Sequence, residues 1–96
     1  MRLFFLFWRY KFVVQLINII MLLSELGINE KGRITKVNLF AKTKAKFGEL
    51  GVVEGVDIIL IRKTLLGGTV EIMVQNYNLA IRKSEANKIV VVKVDD

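Results

Sequence analysis

Ninety-six residues suffice for one small domain and not for two, and an apolar fraction of 53% excludes a disordered tail. The chain carries 15 Lys and Arg against 9 Asp and Glu, a formal charge of +6, with no Cys and no His. That inventory excludes disulfide frameworks, thiolate metal sites, zinc fingers, HExxH sites and both Ser-His-Asp and Cys-His catalysis, and it removes the commonest general base.

Residues 1–20 stand apart as an apolar N-terminal extension. They hold fifteen apolar residues and six of the nine aromatics, and their only charges are Arg2, Arg9 and Lys11. From Met21 onward, 12 basic and 9 acidic groups leave +3, an ordinary value for a small domain. Arg9 and Lys11 interrupt the run of about 18 apolar residues that a membrane-spanning helix needs. A signal-like reading would use Met1 to Lys11 as the basic stretch and Phe12 to Leu23 as the apolar core, but no small-x-small cleavage site follows. Three readings stay open: an extension upstream of a start at Met21, a membrane-associated helix, and a signal-like segment. The domain itself is placed at residues 21–96.

Periodic patterning begins after Met21. Gly32 to Asn38 reads as a half-buried strand with Ile34, Lys36 and Asn38 on one face. Ala41 to Leu50 has Ala41, Ala45, Phe47 and Leu50 at the spacing of one helical face, with Lys42, Lys44 and Lys46 elsewhere and Gly51 as the stop. Val56 to Arg62 is a β-branched strand, and Thr69 to Gln75 is another, with Val70, Ile72 and Val74 alternating inward. Leu66-Gly67-Gly68 joins those two as a hairpin, because glycine reaches positive φ without steric cost. A second turn is placed at Asn76 to Asn78, followed by a strand over Leu79 to Arg82. Ser84 to Lys88 reads as one helical turn with Ser84 as N-cap, and Ile89 to Val94 is the closing strand. Five or six short strands with tight turns and one short helix describe a mostly β chain folded as a small closed barrel, since closure removes exposed edges.

In order, Leu22-Leu-Ser-Glu-Leu26, the Gly32-Arg-Ile strand, the basic helix, Leu50-Gly51-Val52-x-x-Gly55, Leu66-Gly67-Gly68 and Leu79-Ala-Ile-Arg-Lys-Ser-Glu-Ala-Asn-Lys-Ile89 resemble the ferrous iron transport protein A (FeoA) family over residues 21–94. Glu54 and Leu65 stand where prolines are usual in that family. The resemblance implies an SH3-like β-barrel that serves as a small cytoplasmic, non-catalytic accessory to FeoB, the GTPase-linked membrane permease for ferrous iron. Membrane association would then come through the permease or through residues 1–20. The same barrel occurs as a carboxy-terminal domain in iron-dependent repressors, so a freestanding domain of that kind is one alternative.

Transition-metal binding is also associated with the family, and the residues speak against it. Iron(II) favours imidazole with carboxylate, and this chain offers scattered carboxylates only. Glu54 and Asp57 are the one pair close in sequence and read as solvated turn charges. No catalytic residue, metal ligand or cofactor is assigned. An RNA-binding barrel is the other alternative, carried by Lys36, Lys42, Lys44, Lys46, Arg62 and Lys63; their bland reading is the solvated side of a helix and its neighbours. DNA is not expected, and self-association stays open.

The partner-binding candidates are the hairpin tip Leu65, Leu66, Gly67 and Gly68, the helix residues Lys44, Phe47 and Leu50, and Tyr77. Each has an alternative that also stays open. The two leucines could cap the barrel, the helix could plug it, and Tyr77 could be a hydroxyl-anchored corner rather than a contact.

Overall fold

Val70, Ile72 and Val74 are buried while Met73 between them is exposed, so the period-two pattern of this stretch is realised as a strand with one face on the core. The computed structural model describes residues 20–64 and 66–94. Six strands make one antiparallel sheet: β1 (Ile20–Leu22), β2 (Lys31–Val37), β3 (Asp57–Lys63), β4 (Thr69–Val74), β5 (Tyr77–Arg82) and β6 (Ile89–Val94). Two helices accompany them, α1 (Ala41–Glu49) and the single-turn α2 (Lys83–Ala86), with a 3₁₀ turn at Leu23–Glu25.

The strand order is β1-β6-β2-β3-β4-β5. Among the described residues the hydrogen-bond ladder therefore has two ends, β1 and β5, where the sequence suggested full closure. The short β1 escaped the sequence reading because three residues show no period. It is made by the sheet, through Ile20↔Val92, Met21↔Val91 and Leu22↔Val90. The 3₁₀ turn after it buries Leu23 and Leu26 completely.

Two bulges change what the alternation implies. In β2 the register against β6 shifts between Ile34 and Lys36, so Gly32, Ile34 and Val37 face inward. The expected face of Ile34, Lys36 and Asn38 is thus corrected: Lys36 and Asn38 are exposed, because one extra residue reverses the phase of everything after it. In β3 the register against β4 shifts between Leu60 and Arg62. Ile58 and Leu60 are buried before the bulge, and Arg62 and Lys63 are exposed after it.

Helix α1 ends as its glycine predicts. Gly51 has φ 87°, the Val52 N–H donates to the Phe47 carbonyl at 2.9 Å, and the Gly51 N–H donates to the Gly48 carbonyl at 3.1 Å. That pair of bonds is a Schellman cap, and its companion apolar contact is supplied by Phe47 and Val52, both buried. The predicted apolar face is narrower than expected, since Ala41 and Ala45 are exposed and Phe47 is the buried residue of the helix.

Two turns also differ. The loop between β4 and β5 is Gln75–Asn76, with Gln75 at φ 53°, so Tyr77 and Asn78 already belong to β5. Ser84 does not cap α2; the helix starts at Lys83, and the Glu85 carboxylate reaches back to accept the Arg82 N–H at 2.9 Å. The core that results is wholly apolar and runs from Leu23 and Leu26 through Ile58, Leu60 and Ile72 to Ile89 and Val91.

Candidate interaction surface

The β3–β4 connection is built by Thr64. Its Oγ1 accepts the N–H of Gly68 and of Thr69, each at 3.1 Å, while its carbonyl accepts the Gly67 N–H at 3.0 Å. Gly67 sits at φ 74°, where a side chain would be strained. The Gly68 carbonyl accepts the Lys83 N–H at 3.1 Å, which ties the loop to the start of α2. On this braced loop Leu66 is 99% exposed. A leucine that folded back over the barrel would be buried, so the capping alternative does not hold for Leu66. Leu65 lies outside the described residues, as do residues 1–19.

The helix candidates separate from one another. Phe47 is 5% exposed and Leu50 is half-buried, whereas Lys44 is exposed. Phe47 and Leu50, with Thr43 and Lys46, form one wall of a groove of about 590 Å³ whose other wall is Leu79 to Arg82 of β5. Thr69 and Glu85 close one end of it. Lys44 lines a different depression, beside Val37, Val52, Val53 and Glu54. Tyr77, 39% exposed, stands at the start of β5 with its hydroxyl near the Gly51 cap. Among the described residues that hydroxyl has no hydrogen-bond partner.

Thr69 joins the two regions that remain. It lines the α1–β5 groove and also a smaller cleft under the hairpin, of about 200 Å³, with Ser24, Lys63, Thr64, Gly67 and Lys83. The sequence reading missed the β5 wall, and it singled out Lys46 only as one of the cations considered for RNA. The Leu79-Ala-Ile-Arg run was visible as a strand, but nothing in it announced that the strand would end the sheet. A second exposed aromatic, Phe40, is 81% exposed ahead of α1 with the Lys88 ammonium 5.3 Å from its ring centroid.

The charges are arranged in local pairs. Arg33 donates to Asp57 at 2.8 Å, and that hydrogen bond is the main cause holding the Asp57 carboxyl below its usual value and raising the Arg33 guanidinium. Glu30 is held low first by its hydrogen bond from Lys93 and then by the Gly27 N–H. Arg62 lies 3.6 Å from Glu71. Of the cations considered for RNA, Arg62 is engaged by Glu71, Lys44 and Lys46 line different grooves, and Lys63 lines the cleft under the hairpin. Among the described residues, no group of three or more carboxylates converges on a point where a metal ion could sit. No described helix is long and apolar enough to cross a membrane.

Solved structures share this architecture. FeoA from Chlorobium tepidum is 28% identical with a TM-score of 0.75, the match covering 78% of this chain and 71% of that one. FeoA from Stenotrophomonas maltophilia, solved with zinc and described as a procaryotic SH3 domain protein, is 32% identical with a TM-score of 0.63, over 74% of this chain and 88% of that one. A manganese-dependent transcriptional repressor with manganese bound has a TM-score of 0.72 at 12% identity, over 78% of this chain and 37% of the repressor, a likeness of fold alone. Curated protein sequences provide no significant match. The fold is therefore an SH3-like barrel, and because the FeoA domain family matches residues 21–93, which is most of the chain, this protein belongs to the FeoA family.

Proposed function

We propose that this protein is a non-catalytic accessory of ferrous iron uptake that docks on a FeoB-type GTPase-linked permease and biases its conformational equilibrium. Family membership supports the transport setting, and the Stenotrophomonas relative is described as a candidate activating factor for bacterial ferrous iron transport. The observation that carries docking is Leu66, a large apolar side chain 99% exposed on a loop that Thr64 holds in place. A fully exposed leucine contributes nothing to the core, and a braced one loses little freedom when a partner covers it. The hairpin tip Leu66–Gly68 is the first contact, and Leu50, in the α1–β5 groove, the second. To act on the permease, the docked protein must bind one of its states more tightly than the other.

Leu66→Asp tests the reading. A carboxylate at an apolar interface is costly to desolvate, so capture of the cytosolic GTPase region of FeoB should weaken by about 2–4 kcal/mol. The melting temperature should not move, because the side chain touches no core residue. Unchanged capture with unchanged melting would remove the hairpin from the interface.

A further inference from the structure

Strand β5 ends the sheet, and among the described residues its only ladder partner is β4, from Thr69↔Arg82 to Val74↔Tyr77. The two-residue loop makes Val74 and Tyr77 the hydrogen-bonded pair next to the turn, and that phase repeats at Ile72↔Leu79 and Val70↔Ile81. The N–H and C=O groups of Asn78 and Ala80 consequently face away from β4. Both residues are exposed, and these main-chain groups bond to no described residue. The next outward N–H, of Arg82, is occupied by Glu85. Two free donors and two free acceptors thus stand in a row on the strand that forms one wall of the α1–β5 groove.

The groove has the character of a peptide site. Its volume, about 590 Å³, is within the usual range for ligand clefts. Its apolar lining includes Phe47, Leu50, Leu79, Ala80 and Ile81, and its charged groups are Lys46 and Arg82 against Glu85. Neither cation makes an ion pair with a described residue, and the Glu85 carboxylate is committed to the Arg82 N–H. An exposed strand edge is a template for an added strand. The chain as a whole carries +6, so charge favours an acidic partner segment over a second copy of this basic protein.

We propose that the groove between α1 and β5 accepts an extended acidic segment of a partner protein as a seventh strand, paired to the free main-chain groups of Asn78 and Ala80. Alternate side chains of the segment rest on Phe47, Leu50 and Leu79, and the intervening carboxylates meet Lys46 and Arg82. This names the kind of partner segment the docking reading requires, and it rests on that reading only for the partner's identity.

The test titrates the full-length, nitrogen-15-labelled protein with acetyl-Glu-Val-Glu-Val-Glu-Val-amide, and with the lysine counterpart acetyl-Lys-Val-Lys-Val-Lys-Val-amide. The acidic peptide should shift the Ala80 and Asn78 amides and slow Ala80 hydrogen exchange about tenfold at saturation, because that N–H gains an acceptor. The lysine peptide should bind about tenfold more weakly, and Lys46→Glu should reduce binding of the acidic peptide about threefold or more. Equal binding of the two peptides, shifts centred on the Leu66–Gly68 loop, or no shift at about 2 mM peptide would overturn the proposal. If the peptide fails at Ala80 while the FeoB GTPase region is still captured, the groove falls and docking stands. If the peptide pairs with Ala80 and that region is not captured, the groove stands and docking on FeoB falls.

Discussion

Phe47→Ala should unfold helix α1 and lower the stability of the whole domain. A nine-residue helix is too short to persist in water by itself, and this one lacks other support. Its N-cap position is Phe40, which offers no side-chain acceptor, and its first turn contains no acid to complement the helix dipole. What holds it is Phe47, 5% exposed, together with the Schellman bond from Val52 to the Phe47 carbonyl. Truncating a buried phenylalanine costs about 3–5 kcal/mol. A domain of roughly 75 residues has about 4–11 kcal/mol in total at ordinary stability per residue. At about 4–8 °C per kcal/mol for this size, the melting temperature should fall by about 12 °C or more. Circular dichroism would read the melt and also the loss of helical signal at 222 nm at low temperature, a wavelength standard for helix. Leu66→Asp is the matched control, since a side chain 99% exposed should leave the melt in place. A fall below about 5 °C for Phe47→Ala, with helical signal retained, would refute the claim that one side chain anchors α1.

Three further outcomes are expected. Gly32→Ala should destabilise by about 1–3 kcal/mol in urea unfolding, because the added Cβ would stand 3.0 Å from Val91 Cγ2 and 3.1 Å from Leu26 Cδ1, both buried; an unchanged midpoint would mean that the sheet yields there. Glu30 and Asp57 both have depressed carboxyl pKa values, so their contribution is present at neutral pH and lost as pH falls below the ordinary 4.5 and 3.8. Urea midpoints measured across that range should decline less steeply for Glu30→Gln than for the parent, and parallel curves would count against the Lys93 and Gly27 bonds. A chain beginning at Met21 should fold without residues 1–20, with well-dispersed amide spectra. The removed Ile20 contributes one half-exposed end pair, with Val92. A collapsed spectrum would extend the domain into the apolar segment.

Most of the local elements were legible because they depend on neighbours in sequence. Gly51 stops α1 since only a residue at ease with positive φ closes a Schellman cap, and the Val70-Ile72-Val74 alternation places those side chains on one face whatever the sheet order. The family boxes are equally local, and they pointed to the FeoA match over residues 21–93. Long-range contacts decided the rest. The phase of β2 reverses at a bulge that exists only against β6, which exposes Lys36 and buries Val37. Strand β1 has too few residues to show a period and forms because β6 lies beside it. The candidate surface divides in the same way. Leu66 could be singled out from two leucines beside a glycine pair, but whether it faced water or the core depended on how Thr64 braced the loop. The α1–β5 groove was invisible in the sequence, because the free main-chain groups of Asn78 and Ala80 are a property of strand order. Every residue carries one N–H and one C=O regardless of its type, except proline, so side-chain pattern cannot reveal which of them the sheet leaves unpaired.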